Sequence, residues 1–287
     1  FWETWKETRM YLDGADRPER LTVIEVPRTE FFGFLIFADE YIYSQFHALA
    51  LAWEKESETE AVPLPFPPFE GRSCRILFVG NSQTYTYNVP QQLQALAGMY
   101  GIEVEFDQIT PGGAALYDTL DKALEAMRTN EYDYAVFQDA MNATNTYLDV
   151  FMDNVETLCR AAKENGIIPV LYAVGTYNPD WTPNRFFTRH EARFYQIAAK
   201  LNGAVLVNAG EARVYAYETL DGLAMIKVND GHFTSEGAYH AACVFASTLF
   251  DLHIQDECEA NTQYNGDRGV EIGRAAWEYV TNFKSGR

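Results

Sequence analysis

Residues 75–84 read Arg75-Ile76-Leu77-Phe78-Val79-Gly80-Asn81-Ser82-Gln83-Thr84, and the fold follows from how this stretch changes character. Residues 76–79 form a continuous apolar run. It is too short for a helix and lacks the polar alternation of a half-exposed strand, so it reads as a strand buried on both faces. Gly80-Asn81-Ser82 breaks the run, and a helical pattern begins near Val89. The same change recurs downstream. Apolar runs at 102–106, 134–137, 167–173 and 204–207 predict four more strands. Helical segments are expected near 89–100, 114–129, 148–165 and 186–201, with two more at 235–252 and 269–283. Strand–helix alternation with short connections predicts an α/β fold, a three-layer αβα sandwich around a five-stranded parallel sheet. Ligands in such sheets bind beyond the carboxyl ends of the strands, so chemistry is sought in the loops that follow them.

Residues 1–70 differ in character. They hold 14 of the 42 aromatic residues and end in Pro63, Pro65, Pro67 and Pro68. Residues 21–26 and 31–37 read as two strands joined by Pro27-Arg28-Thr29-Glu30, a hairpin. Ile42, Phe46, Leu49, Ala50 and Trp53 recur at helical spacing, and 56–70 is acidic and then proline-rich, a linker. The expected organisation is a small α+β appendage over 1–70 that covers a face of the main domain or makes a homo-oligomer or assembly contact, followed by an α/β domain over 71–287.

The chain has 287 residues, enough for one large domain and a little more. Hydrophobic content of 47% with 22% charged residues is a globular composition. A net charge of −19 excludes nucleic acid and anionic membrane surfaces as partners, because the overall field repels polyanions. The acidity marks no site: residues 1–70 carry −8 and the remainder −11. The most apolar window, 31–53, contains Asp39, Glu40, Gln45 and His47, so no membrane span is expected. A soluble protein is expected, and a start at Phe1 rather than Met fits processing or truncation, with secretion left open. Cys74, Cys159, Cys243 and Cys258 have no zinc-ligand spacing, so no metal is expected. They read as buried residues rather than a disulfide framework. Asn142-Ala143-Thr144 is a glycosylation sequon that matters only in a secreted protein.

Four loops carry the candidate chemistry. Ser82 sits where a strand turns toward a helix, exposed at the strand's carboxyl end. Asn229-Asp230-Gly231-His232 precedes the last core helix and offers a general base with a carboxylate two residues away. Thr110-Pro111-Gly112-Gly113 follows the second strand, where a glycine lets a bare backbone N–H approach an oxyanion. Gln138 follows the third strand and can present a side-chain amide to the same point. Each piece alone also reads as an ordinary turn or cap. Their coincidence at strand ends is more specific than any one of them.

Taken together, residues 75–252 resemble the SGNH (GDSL-like) hydrolases, and the resemblance does not extend over the first 70 residues. Residues 75–84 look like that family's first block, with Ser82 as nucleophile. Gly113, or its neighbour Gly112, matches the oxyanion glycine of the second block. Tyr134-Ala135-Val136-Phe137-Gln138-Asp139 puts Gln138 where the family commonly has asparagine, as in a branch resembling carbohydrate acetylesterases. Gly237, five residues after His232, completes the last block and makes His232 the base. Two positions depart from the pattern. The orienting aspartate usually lies three residues before the histidine, where this chain has Asn229, and Phe233 stands in place of the usual proline.

The resemblance implies a flavodoxin-like SGNH fold and a serine esterase without cofactor. Ser82 is deprotonated by its base His232, which Asp230 orients, and the oxyanion is held by Ser82 N–H, Gly113 N–H and the Gln138 amide. The implied substrate is an ester, acetyl foremost, on a carbohydrate or similar small molecule. Asn81 and, in the loop after the fourth strand, Tyr177, Trp181 and Arg185 are candidate substrate-binding residues. Aromatic faces suit sugar rings, and an arginine suits a carboxylate. The alternative is a catalytically impaired relative acting as a binding or assembly subunit, motivated by Asn229, Phe233 and the aromatic N-terminal segment. A phosphate-binding flavodoxin-like module fits less well, because Gly112-Gly113 lacks a phosphate-loop pattern.

Overall fold

The structure is a computed structural model, and it describes residues 5–9, 20–24, 35–37, 69–141, 143–178, 180–254 and 268–284. The chain divides into two compact units, Phe1–Glu54 and Lys55–Arg287. In the first, strands β1 (Trp5–Arg9), β2 (Arg20–Ile24) and β3 (Leu35–Phe37) form an antiparallel sheet in the order β1-β2-β3. Pairing of Thr22 with Phe37 and of Ile24 with Leu35 joins the two strands expected as a hairpin. The expected helix around Ile42–Trp53 and most of the linker lie outside the described residues.

The second unit holds a five-stranded parallel sheet, as the apolar runs predict. Its strands are β4 (Ser73–Val79), β5 (Glu103–Ile109), β6 (Tyr134–Phe137), β7 (Ile168–Ala173) and β8 (Val205–Asn208), in the order β5-β4-β6-β7-β8. This is the flavodoxin-like order, in which the chain reverses direction across the sheet between β4 and β6 and opens a crevice there. The register makes that crevice level. Val79 pairs with both Ile109 and Phe137, so the loops that begin at Gly80, Thr110 and Gln138 leave the sheet side by side.

Helices cover both faces. One layer is α2 (Val89–Met99), α7 (Ala209–Thr219), α8 (Ser235–Leu249) and α9 (Gly269–Lys284). It packs on Ile76, Phe78, Val170, Tyr172, Val205 and Val207. Phe245 of α8 sits edge-on to Phe78 at 5.7 Å and to Tyr172 at 4.8 Å, fastening the last helix to two strands. The other layer is α3 (Leu116–Thr129), α5 (Leu148–Glu164) and α6 (Arg185–Asn202), where Phe151 meets Tyr195 with ring centroids 4.7 Å apart. Two short helices, α1 (Ser82–Tyr85) and α4 (Ala143–Thr146), sit in the loops after β4 and β6.

Two differences from the sequence reading have clear causes. Helix α7 is not foreshadowed, because its sequence Ala-Gly-Glu-Ala-Arg-Val-Tyr-Ala-Tyr-Glu-Thr has no apolar stripe at helical spacing. It is set instead by the Asn208 side chain, which caps Glu211 N–H, and by burial of Ala209, Ala212, Arg213 and Ala216. The loop before the helix expected near 89–100 also holds a short helix that the sequence does not announce. Ser82 opens a single turn of its own, and the longer helix starts anew at Val89 behind Asn88 at φ 48°. Cys74, Cys159 and Cys243 are buried, and Cys258 lies outside the described residues.

Candidate active site

Ser82 is the first residue of α1, so its backbone N–H has no partner inside the helix. Asn81 caps the turn. Its side-chain oxygen accepts from Gln83 N–H at 3.0 Å, which fixes the serine between two constrained neighbours. Gly80 permits the approach to the next strand: a Cβ there would lie 2.6 Å from Gln138 Oε1 and 3.0 Å from Thr84 Oγ1.

The residues on either side of Ser82 are tied to the other three loops. Asn81 Nδ2 donates to the Ala114 carbonyl at 2.8 Å, bonding the residue before Ser82 to the residue after Gly113. Asn81 N–H and Thr84 Oγ1 both donate to Gln138 Oε1 at 3.0 Å. On the far side, Gln83 Nε2 donates to the Gly231 carbonyl at 3.3 Å, joining the residue after Ser82 to the residue before His232. Hydrogen bonds through their immediate neighbours thus link Ser82, Gly113, Gln138 and His232 in one constellation, drawn from four separate loops.

His232 is partly buried, with Nδ1 2.5 Å from Asp230 Oδ1. That contact leaves Nε2 as the ring nitrogen available to a hydroxyl. Asn229 makes no hydrogen bond to the ring among the described residues, and sits exposed at φ 61° on the turn. Asp230 is held below the usual carboxylate range, first by Lys227, whose Nζ lies 2.6 Å from Oδ2, and then by His232. Phe233 turns inward, and the buried Arg213 guanidinium stacks over its ring at 4.8 Å while donating to the Val174 carbonyl.

Gly113 is exposed at φ 71°, and its N–H makes no hydrogen bond among the described residues. Gly112 beside it lies under Tyr85, whose hydroxyl is 3.1 Å from where a Cβ would stand. Gln138 is fully buried and donates through Nε2 to the Asp139 carbonyl. An amide nitrogen carries two hydrogens, so one remains. Asp139 braces the same region from behind, accepting from Leu116 N–H at 3.0 Å and Ala140 N–H at 2.6 Å. Burial raises its carboxyl above the ordinary range, partly offset by those two donors.

The loop after β7 brings Tyr177 over Gly231, the residue before His232. Gly231 has φ 77°, and a Cβ on it would lie 2.2 Å from the Tyr177 hydroxyl, so only glycine fits beneath that ring. Tyr177 in turn packs against Trp181 with centroids 5.2 Å apart. Arg185 is engaged elsewhere, paired with Glu218 of α7 at 3.2 Å. Phe187 is exposed, and burial pushes His190 down to about 4. Gln83 and Lys227 are the participants that sequence reasoning passes over. Gln83 lies in the 75–84 block without a role assigned to it there, Lys227 lies in no motif, and only their positions beside Ser82 and within the turn before His232 could have flagged them. Among the described residues, no group of His, Cys, Asp and Glu could hold a metal ion, and no helix is long and apolar enough to cross a membrane.

No family model and no curated protein matches the chain. Among solved structures, it is similar to a protein from Slackia heliotrinireducens described as a candidate SGNH hydrolase. The identity is 26%, over 62% of this chain and 99% of that one, with a TM-score of 0.53. A DUF4886-family protein from Bacteroides uniformis is 17% identical over 74% of this chain and 96% of its own, with a TM-score of 0.62. A variant of an acetyl xylan esterase from Geobacillus stearothermophilus is 15% identical over 62% of this chain and 96% of its own, with a TM-score of 0.49.

Proposed function

We propose that this chain, whose fold is that of the SGNH hydrolases, is a serine esterase that removes an acyl group from a carbohydrate or similar small substrate. The observation that carries the reading is the pair of bonds flanking Ser82, Asn81 to Ala114 and Gln83 to Gly231, together with the Asp230–His232 contact. They support reading Ser82 as a nucleophile, His232 as a base with Asp230 as its orienting carboxylate, and the loops after β5 and β6 as the source of oxyanion donors.

The chemistry is two-step acyl transfer. His232 Nε2 takes the proton of Ser82 as Oγ attacks the ester carbonyl, and Asp230 stabilises the imidazolium that forms. The negative charge on the carbonyl oxygen is met by Ser82 N–H, Gly113 N–H and the second hydrogen of the Gln138 amide, each donor contributing about 3 kcal/mol in the transition state. The imidazolium then protonates the leaving alcohol, and water attacks the acyl-enzyme by the reverse route. No cofactor enters this scheme.

The Tyr177–Trp181 pair beside Gly231 gives an aromatic face on which a sugar ring can stack. Acetyl as the acyl group follows from the resemblance of the Gln138 block to carbohydrate acetylesterases. Arg185 is exposed, its surface pairing with Glu218 is weak, and it stays a candidate for a carboxylate on the substrate. The test is hydrolysis of p-nitrophenyl acetate by the protein beside its Ser82→Ala variant. The reading requires turnover that the variant lacks. Equal rates would overturn it in favour of a binding subunit.

A further inference from the structure

The carboxylate that orients a catalytic histidine is ordinarily held still by burial. Asp230 is not: its side chain keeps 35% of its exposure. It sits on a tight turn in which Lys227 N–H donates to the His232 carbonyl at 2.8 Å, while Asp230 and Gly231 N–H donate back to the Lys227 carbonyl at 3.3 and 3.1 Å. Ile226 bridges Phe233 at the base of the turn. A half-exposed aspartate has several rotamers open to it, and water competes for both of its oxygens. Here the oxygens are divided. Oδ1 is 2.5 Å from His232 Nδ1, and Oδ2 is 2.6 Å from Lys227 Nζ.

We propose that Lys227 is a positioning residue of the hydrolytic site, its ammonium clamping Asp230 in the orientation that bonds His232 and so replacing the burial this aspartate lacks. The proposal rests on the esterase reading for its consequence in turnover, but the clamp itself is a property of the turn. It also accounts for the shortened spacing. An aspartate two residues before the histidine is on the exposed rim of the turn, where a second contact is needed to fix it.

Few other charged or titratable groups surround this turn. Tyr87, from the turn after α1, interacts with Lys227; the Tyr177 hydroxyl lies over Gly231; Arg213 faces Phe233; and Glu236 of α8 accepts from Ala224 N–H. None of them contacts Asp230 in place of the ammonium, so removing it should free Asp230 to rotate away from the ring.

The experiment compares wild type with Lys227→Met and Lys227→Arg by two readouts: the His232 Nδ1–H proton resonance, and kcat and KM on p-nitrophenyl acetate. Wild type and Lys227→Arg are expected to show a slowly exchanging Nδ1–H. Lys227→Met should lose it and lower kcat by about tenfold with little change in KM. A Lys227→Met protein whose Nδ1–H and kcat match wild type overturns the proposal, as does a loss that Lys227→Arg fails to restore. Lys227→Gln serves as a second uncharged variant and is held to the same outcomes. If Lys227→Met loses the Nδ1–H while wild type turns over no faster than Ser82→Ala, the clamp stands and the esterase reading falls.

Discussion

Gln83 Nε2 donates to the Gly231 carbonyl at 3.3 Å, a bond between residues 148 apart that ties the loop of Ser82 to the loop of His232. With Asn81 bonded to Ala114 on the other side of Ser82, the serine is positioned by its two neighbours rather than by its own side chain. That arrangement leaves the Ser82 hydroxyl uncommitted to structure, as a nucleophile requires.

The turn before His232 offers two candidates for its orienting partner, and Asp230 is the one whose carboxylate lies 2.5 Å from the ring nitrogen. Asp230→Asn should lower kcat at least about a hundredfold with the fold intact, because the replacement supplies no charge to the imidazolium. Asn229→Gly should leave kcat and KM within about twofold of wild type, since Asn229 is exposed at a positive φ that glycine adopts freely. Steady-state kinetics on both variants check this. A loss at Asn229 and none at Asp230 would reverse the assignment.

Gln138 braces the loop of Ser82, and the proposed esterase reading gives it an oxyanion role as well. Gln138→Ala should lower kcat about a hundredfold through the lost oxyanion donor. It should also destabilise the protein by about 1–3 kcal/mol, because Asn81 N–H and Thr84 Oγ1 lose their shared acceptor in a buried site. Thermal unfolding beside single-substrate kinetics separates the two effects. A variant stable as wild type would show that the loop is braced by other contacts.

Glu191 predicts a pH dependence of stability. Its side chain is buried, and desolvation pushes it from the ordinary 4.5 up to about 7, against the pull of Gly175 N–H and Arg213. A carboxyl with a raised folded-state value contributes its full stability below 4.5 and loses it as pH rises toward 7. Glu191→Gln should therefore gain stability relative to wild type across that window, by about 3 kcal/mol in total. His190 and His240, lowered to about 4 and about 3 by burial, act in the opposite direction but equally in both proteins. Denaturant unfolding of the two proteins at pH 4.5 and 7 checks the difference, and a constant gap would refute it.

Trp181 tests the substrate class. Its ring and that of Tyr177 form the aromatic face next to the base, so Trp181→Ala should reduce kcat/KM on an acetylated sugar about fivefold to tenfold more than on vinyl acetate, which has no ring to stack. Equal losses on both substrates would remove the stacking role.

Much of this architecture is legible in the sequence because buried parallel strands announce themselves. Residues 76–79, 134–137 and 167–173 are short apolar runs with few alternative readings, and the residues that follow them are the candidate site. Ser82, Asp230 and His232 are legible because their types and spacing match one chemistry. Helix α7 is not, since its small and polar residues carry no stripe. Gln83 and Lys227 are not because their importance lies in contacts, Gln83 to a carbonyl 148 residues away and Lys227 to a carboxylate already assigned to another partner. The buried Glu191–Arg213 region is invisible for a related reason: on a sequence, charged residues in helices read as a solvated face.

The central claim is that Ser82 is a nucleophile activated by His232, and covalent capture tests it most directly. The protein is treated with a fluorophosphonate and the adduct is located by peptide mass spectrometry, beside the His232→Ala variant. The account predicts one phosphonyl group per chain, on Ser82, formed far more slowly when His232 is absent. An unmodified Ser82, or labelling at the same rate without His232, would contradict it.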